Sequence, residues 1–319
     1  VTGSKEFEMS DKIPQETLFL HEAQMGLGAW QWGDRTVWNY GHGYSEADCE
    51  AAFRAALEAG VNLVDTAETY GSGRSEQMLG RFIKNVDKPV LVATKFVPFP
   101  WRLTRGVLLK ALRRSLERLS LERVDLYQIH LHLPPRPVEF WAEELAEAVK
   151  AGLTRAVGIS NYNKNQMQRT YTVLTKYNIP LASNQVEYHL LNRIVEKNGL
   201  LDRCNELGVR LIAYSPLAKG LLTGKYTPAN PPPGFRSRGA SGTLGRIQPL
   251  VQSLKEIGQA QGGKTPGQVA LNWVICKGAL PIPGAKNSKQ AAENFGALGW
   301  HLTPEQIKAL DEASDPFTK

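Results

Sequence analysis

The chain has 319 residues, 42% apolar and 22% charged, enough for one large barrel or two ordinary domains with a sizeable core. Its longest apolar runs fall well short of the roughly 18 residues a membrane helix needs, which argues against a spanning segment. Lysine and arginine outnumber aspartate and glutamate 38 to 31, for a net charge of +7, yet no long run of like charges and no nucleic-acid module is present. The surplus therefore points to a phosphate-bearing small molecule rather than to nucleic acid or a membrane surface.

Residues 1–8, ahead of Met9, read as a remnant of expression and are set apart from the fold, leaving residues 9–319 as a single expected domain. From there, short β-branched runs alternate with longer amphipathic stretches, the mark of repeated βα units around a parallel sheet. The reading in chain order is strand 24–27, helix 45–59, strand 61–64, helix 75–84, strand 90–94, helix 104–119, strand 124–129, helix 137–151, strand 156–159, helix 163–177, strand 182–186, helix 195–207 and strand 210–213. Helices over 245–261 and 265–277, a strand over 280–282 and a helix over 288–298 complete it. Gly60, Gly152 and Gly208 fall just past helices, and Thr265-Pro266 is a helix start with proline at the first position.

Eight strands in this alternation predict an α/β fold of the (β/α)8 barrel type. A doubly wound dinucleotide-binding sheet would place a G-x-G-x-x-G turn after its first strand; MGLGAWQWG does not match. The long irregular region 217–244, containing KYTPANPPPGFRSRGASG, reads as a lid or a cofactor clasp. Cys49, Cys204 and Cys276 are odd in number and far apart, so neither a disulfide framework nor a zinc site is indicated, and a reducing compartment fits.

In such barrels chemistry gathers where the strands end. LVDTAETYGSGRSE puts Asp65 at the end of the second strand and Tyr70 on the loop after it, VATK ends the third on Lys95, and DLYQIH ends the fourth on His130. An ammonium beside a phenol makes a proton donor usable near neutrality; Asp65 would hold Lys95, and His130 would orient a carbonyl oxygen. Taken singly, each residue also reads as structural: a buried Asp65–Lys95 pair, and Tyr70 and His130 as core residues with satisfied polar tips. His130-Leu131-His132 with His189 at the end of NQVEYH suggests a barrel metal hydrolase, but the fifth strand ends in Ser160-Asn161 and the last in Ile282-Pro283-Gly284, without the further ligands such a site wants.

These motifs resemble the aldo-keto reductases. LVDTAETYGSGRSEQMLG, VATK, DLYQIH, GISNYN, NQVEYH, AYSPLAKGLLTGKY and IPGAKNSKQAAEN are similar to that family's segments and occur in the family's order. The resemblance implies a catalytic tetrad of Asp65, Tyr70, Lys95 and His130 and an NADPH cofactor held without a doubly wound fold. Ser160, Asn161 and Gln185 would bind the nicotinamide carboxamide, and Tyr214 would stack on its ring. Leu217, Gly220 and Lys225 would line the pyrophosphate, and Lys286, Gln290, Glu293 and Asn294 the adenosine half. Gly28, Trp30, Ser215, Pro216, Arg236, Pro283 and Gly284 belong to the same implied cofactor surface, and Arg236, Arg238 and Lys289 add positive charge.

The last segment departs from better-known members and resembles the branch containing the potassium-channel β subunits, cofactor-sensing binding subunits that are the alternative reading; those typically have asparagine where this chain has His130, which favours a working enzyme. The implied function is reduction of aldehydes or activated ketones, methylglyoxal-like or aromatic, by a monomer in the cytoplasm or another reducing compartment such as the plastid stroma. Trp32, Trp38, Phe96, Phe99 and Trp101, read as loop residues, are expected to rim the substrate pocket, Trp32, Phe96 and Trp101 foremost.

Overall fold

The computed structural model describes residues 13–232 and 240–318. The chain alternates as the sequence reading expects. The strands are β1 Leu27–Gly28, β2 Leu63–Asp65, β3 Leu91–Phe96, β4 Val124–Ile129, β5 Thr154–Ser160, β6 Leu181–Glu187, β7 Arg210–Tyr214 and β8 Leu280–Pro281, and their order in the sheet equals their order in the chain. The helices are α1 Leu18–Glu22, α2 Glu46–Glu58, α3 Arg74–Ile83, α4 Val107–Leu119, α5 Val138–Lys150, α6 Lys164–Thr175, α7 Ile194–Lys197, α8 Leu200–Leu207, α9 Ala240–Ala260, α10 Pro266–Cys276, α11 Ser288–Phe295 and α12 Pro304–Ser314.

Two compact units are distinguishable by their internal contacts. The first takes residues 13–23 with Leu63–Val186 and Val195–Ile212. It holds β2 to β6, which pair in parallel with a register that aligns Lys95 with Gln128, Gln128 with Gly158, and Gly158 with Ser183. Glycine is required at 158, because a Cβ there would stand 2.3 Å from Ser183 Oγ and 3.1 Å from Gln128 Cγ. The second unit takes Gln24–Asn62, Glu187–Ile194 and residues 213–318. There β1 meets the segment after β8 through a parallel Gly28–Gly284 bridge, with Gly28 N–H donating to the Pro283 carbonyl at 3.0 Å.

Helix starts follow local chemistry. Ser45 and Asp48 form a capping box on α2, Asn163 and Gln166 on α6, and Thr265 and Gln268 on α10. Gly60, Gly152 and Gly208 take the left-handed conformation that ends a helix, with φ of 79, 70 and 66°.

Most ends shift by one to three residues, and four differences are larger or bear on the site. β1 lies at Leu27–Gly28 rather than 24–27, because backbone pairing to the segment after β8 defines it rather than an apolar run. The helix read over 195–207 is two, α7 and α8, separated where Gly199 turns left-handed at φ 70°. The region 217–244 is not irregular throughout: Ala218–Thr223 is a 3₁₀ turn and α9 begins at Ala240, burying Leu244, Ile247 and Val251 with Tyr226 along one helical stripe. Helix α12 was not expected, although Thr303 and Gln306 make the same box with Pro304 as Thr265 and Gln268 do with Pro266. Among the described residues no helix is long and apolar enough to cross a membrane.

Candidate active site

The first unit brings Asp65, Tyr70, Lys95 and His130 together. Asp65 is the last residue of β2 and is 3% exposed; Lys95, on β3, is fully buried. The Lys95 ammonium donates to Asp65 Oδ1, to the Thr66 carbonyl at 2.8 Å and to Tyr70 Oη at 3.3 Å. Tyr70 opens a tight turn, Tyr70–Gly73, with left-handed backbone at Gly71 and Ser72, and its ring meets that of His130 edge-on at 5.7 Å. Such strained turns persist where the surroundings over-determine them.

Burial works against the Lys95 charge, but Asp65 and Tyr70 more than offset it, so its pKa is raised and the ammonium is held. For Tyr70 burial is the largest influence and raises the phenol pKa, while Lys95 pulls it down. Desolvation outweighs the Lys95 cation, so Tyr70 keeps its proton, while the ammonium beside it acts in the direction that the sequence reading expects. Burial, then the Lys95 cation, pushes His130 down to about 3, so the imidazole is neutral at physiological pH. Its Nδ1 is buried without a hydrogen-bond partner.

Two amides complete the cluster. Asp65 Oδ2 accepts from Gln185 Nε2 at 2.8 Å and from Gln128 Nε2 at 3.2 Å. A carboxylate oxygen only accepts, so both amides must turn nitrogen toward it. Gln128, fully buried, was missed in the sequence, because DLYQIH read as a strand ending on its histidine. The strand register sets it beside Lys95. Ser160 is buried, and Asn161, at φ 60°, donates from Nδ2 to the His130 carbonyl and to Ser160 Oγ, both at 3.0 Å.

The aromatic residues separate. Trp101 is 75% exposed and stacks on Phe99 at 4.7 Å. Beside them Arg102 lies over the Phe96 and Phe99 rings and donates to Glu68 Oε1 at 2.5 Å. Phe96 itself is not on a loop: it ends β3, fully buried against Trp141. Trp32, in the second unit, is also fully buried, its indole N–H donating to the Ala285 carbonyl at 3.0 Å. Packing, not rim exposure, accounts for both. Trp38 is buried edge-on to Trp30.

The second unit carries the residues implied for the cofactor. Tyr214 ends β7, and left-handed backbone follows at Ser215, Ala218, Lys219 and Gly220, with Pro216 and Leu217 between. Lys225 lies over the Tyr226 ring, and Lys286 lies over the Trp38 and Tyr44 rings while donating to the Trp38 carbonyl at 2.9 Å. Gln290 accepts from the Lys286 backbone N–H at 3.0 Å, Glu293 from Thr265 Oγ1 at 2.5 Å, and Asn294 donates to the Gly284 carbonyl at 3.2 Å. A Cβ at Gly284 would meet the Gln31 side-chain amide at 2.0 Å, so a larger residue there would have to displace that amide. Arg236 and Arg238 lie outside the described residues. His132 is hydrogen-bonded to the Arg136 carbonyl and to Gln166, and His189 Nδ1 accepts from the Leu191 N–H, so both serve their own loops.

A parallel α/β sheet with a buried lysine–carboxylate pair, a protonated phenol and a neutral imidazole at its strand ends defines an enzyme site for proton transfer. The chain belongs to the aldo/keto reductase family, whose model matches residues 24–315, and is an oxidoreductase. It is 41% identical over 314 residues to the chloroplastic pyridoxal reductase of Arabidopsis thaliana, covering 94% of this chain and 85% of that one. Among solved structures it resembles the glycerol dehydrogenase AKR11B4 from Gluconobacter oxydans, with a TM-score of 0.80 and 28% identity over 91% and 90% of the two chains. An aldo/keto reductase from Klebsiella pneumoniae, in complex with NADP and acetate, is similar with a TM-score of 0.73 and 28% identity over 91% and 90%.

Proposed function

We propose that the chain is an NADPH-dependent reductase of aldehydes and activated ketones, built as one (β/α)8 barrel domain over residues 9–319 and acting as a monomer in a reducing compartment, cytoplasm or plastid stroma. The observation that carries this reading is the buried Asp65–Lys95–Tyr70 chain with neutral His130 against Tyr70. The residues present suit a nicotinamide dinucleotide phosphate. The left-handed residues Ser215, Ala218, Lys219 and Gly220 are of the backbone type that forms anion-binding concavities, and Lys225 and Lys286 supply charge for phosphates. Ser160, Asn161 and Gln185 offer amide and hydroxyl groups for the carboxamide, with Tyr214 for the ring, and Lys286, Gln290, Glu293 and Asn294 for the adenosine half.

NADPH, when bound by these residues, would supply the hydride. Tyr70 Oη gives its proton to the carbonyl oxygen, and Lys95 beside it steadies the phenolate that results. Asp65, held by the Gln128 and Gln185 amides, keeps Lys95 charged and aimed. His130, neutral, offers its ring to orient the oxygen rather than a competing proton. The stacked pair of half-buried Phe99 and exposed Trp101 favours planar aromatic aldehydes among the candidates, in keeping with the name of the plant relative.

Purified protein mixed with NADPH and a panel of carbonyls, pyridoxal, benzaldehydes and methylglyoxal among them, tests the reading through loss of nicotinamide absorbance. Carbonyl-dependent NADPH oxidation is expected. Tight NADPH binding with no turnover on any carbonyl would contradict it.

A further inference from the structure

We propose that Glu76 is a positioning residue for this reaction: its buried carboxylate bolts the turn that carries Tyr70 to the strand that carries Lys95, and so sets the contact between phenol and ammonium. The inference rests on the reading of Tyr70 as proton donor.

Tyr70 has no strand of its own to fix it. It opens a four-residue turn that runs into α3 through Gly73, so its place is set by where α3 begins. Glu76 is the third residue of α3 and is fully buried. Its Oε1 accepts from Thr94 Oγ1 at 2.6 Å, a short, charge-assisted bond. Thr94 is the neighbour of Lys95 on β3, and because side chains alternate along a strand, Thr94 reaches outward to α3 while Lys95 reaches Asp65.

The other oxygen, Oε2, accepts from Arg118 Nε of α4 at 2.6 Å, and Arg118 is braced in turn on Ser115 Oγ at 3.1 Å. The same arginine seats the turn: a Cβ at Gly73 would lie 2.9 Å from Arg118 Cδ. A second tie runs beside the first, from Thr66 Oγ1 to Ser75 Oγ at 2.8 Å, and the Thr66 carbonyl is one of the acceptors of the Lys95 ammonium. The first turn of α3 is thus fastened to β2 next to Asp65 and to β3 next to Lys95. A buried ion pair adds little net stability over apolar residues of the same volume. What it supplies here is a fixed distance between two elements that each carry half of the proton donor.

Thr94→Val and Thr94→Ser test this, the first isosteric without the hydroxyl, the second retaining it. Single-turnover reduction by NADPH in H2O and D2O, NADPH affinity by fluorescence quenching, and melting temperature are measured on each. Thr94→Val is expected to slow the turnover by roughly 10- to 100-fold, as misplacement of a catalytic group does, with a larger solvent isotope effect and unchanged NADPH affinity; Thr94→Ser is expected to keep the parent rate. Glu76→Gln, which removes the negative charge and leaves one acceptor oxygen in place of two, is expected to raise the isotope effect likewise. A Thr94→Val protein with the parent's rate and isotope effect overturns the proposal, as does an equal loss in the valine and serine variants, which would mark a packing role. A parent protein that reduces no carbonyl, or whose rate survives Tyr70→Phe, sinks the underlying reading instead.

Discussion

Lys95→Met leaves the Asp65 carboxylate buried, 3% exposed, without its ammonium. Removing one partner of a buried ion pair costs about 3 to 5 kcal/mol. Gln128 and Gln185 still donate to Oδ2, which places the expected loss toward the lower value. At an unfolding entropy of about 2.1 cal/mol/K per residue, a chain of 319 residues loses roughly 5 to 8 °C of melting temperature for that cost. Adding Asp65→Asn to Lys95→Met removes the stranded charge while keeping an oxygen for the two glutamine amides, so the double variant is expected to regain about 2 kcal/mol, roughly 3 °C, without regaining activity. Scanning calorimetry at neutral pH on parent, single and double variants is the assay. A double variant melting at or below Lys95→Met would refute the view that an unpaired Asp65 carboxylate is what the single variant suffers from.

Two further outcomes follow from the same geometry. Lys286→Glu reverses charge where the adenosine phosphate is proposed to bind, and since charge-assisted contacts are worth about 1.5 to 3 kcal/mol each, NADPH affinity is expected to fall by roughly tenfold or more while NADH changes little; equal losses in a fluorescence titration would count against that assignment. His130 titrates near 3 in the fold and near 6.5 unfolded, so its stabilising contribution is fully present above pH 6.5 and is lost as pH falls toward 3, at about 1.4 kcal/mol per pH unit. His130→Asn is expected to flatten the acid limb of stability against pH in urea titrations, and an unchanged limb would show that burial of His130 is not its source.

Much of this was legible in the sequence, and what was not has physical causes. The alternation of apolar strand and amphipathic helix gave the topology, and Val124–Ile129 was bounded as read, because a strand flanked on both sides by polar turn residues announces both ends. β1 was misplaced because two residues paired by backbone alone carry no side-chain pattern. The four residues at strand ends came from the barrel rule and from resemblance together. Their neighbours did not: Gln128 and Glu76 act through contacts with residues 63 and 18 positions away, which no local period reports. Phe96 and Trp32 were misjudged since an aromatic beside a loop has the same sequence signature whether it faces the core or the solvent. The direction of the Tyr70 pKa depended on burial, a quantity that three dimensions alone supply.

The central claim is that Tyr70 delivers the proton. Tyr70→Phe removes one buried hydroxyl and nothing else, so single-turnover reduction of an aromatic aldehyde by NADPH is the measurement that isolates it. The account predicts a fall of roughly 100-fold or more in that rate, with NADPH affinity intact. A Tyr70→Phe protein that turns over at the parent rate, in an assay where chemistry limits, would contradict it.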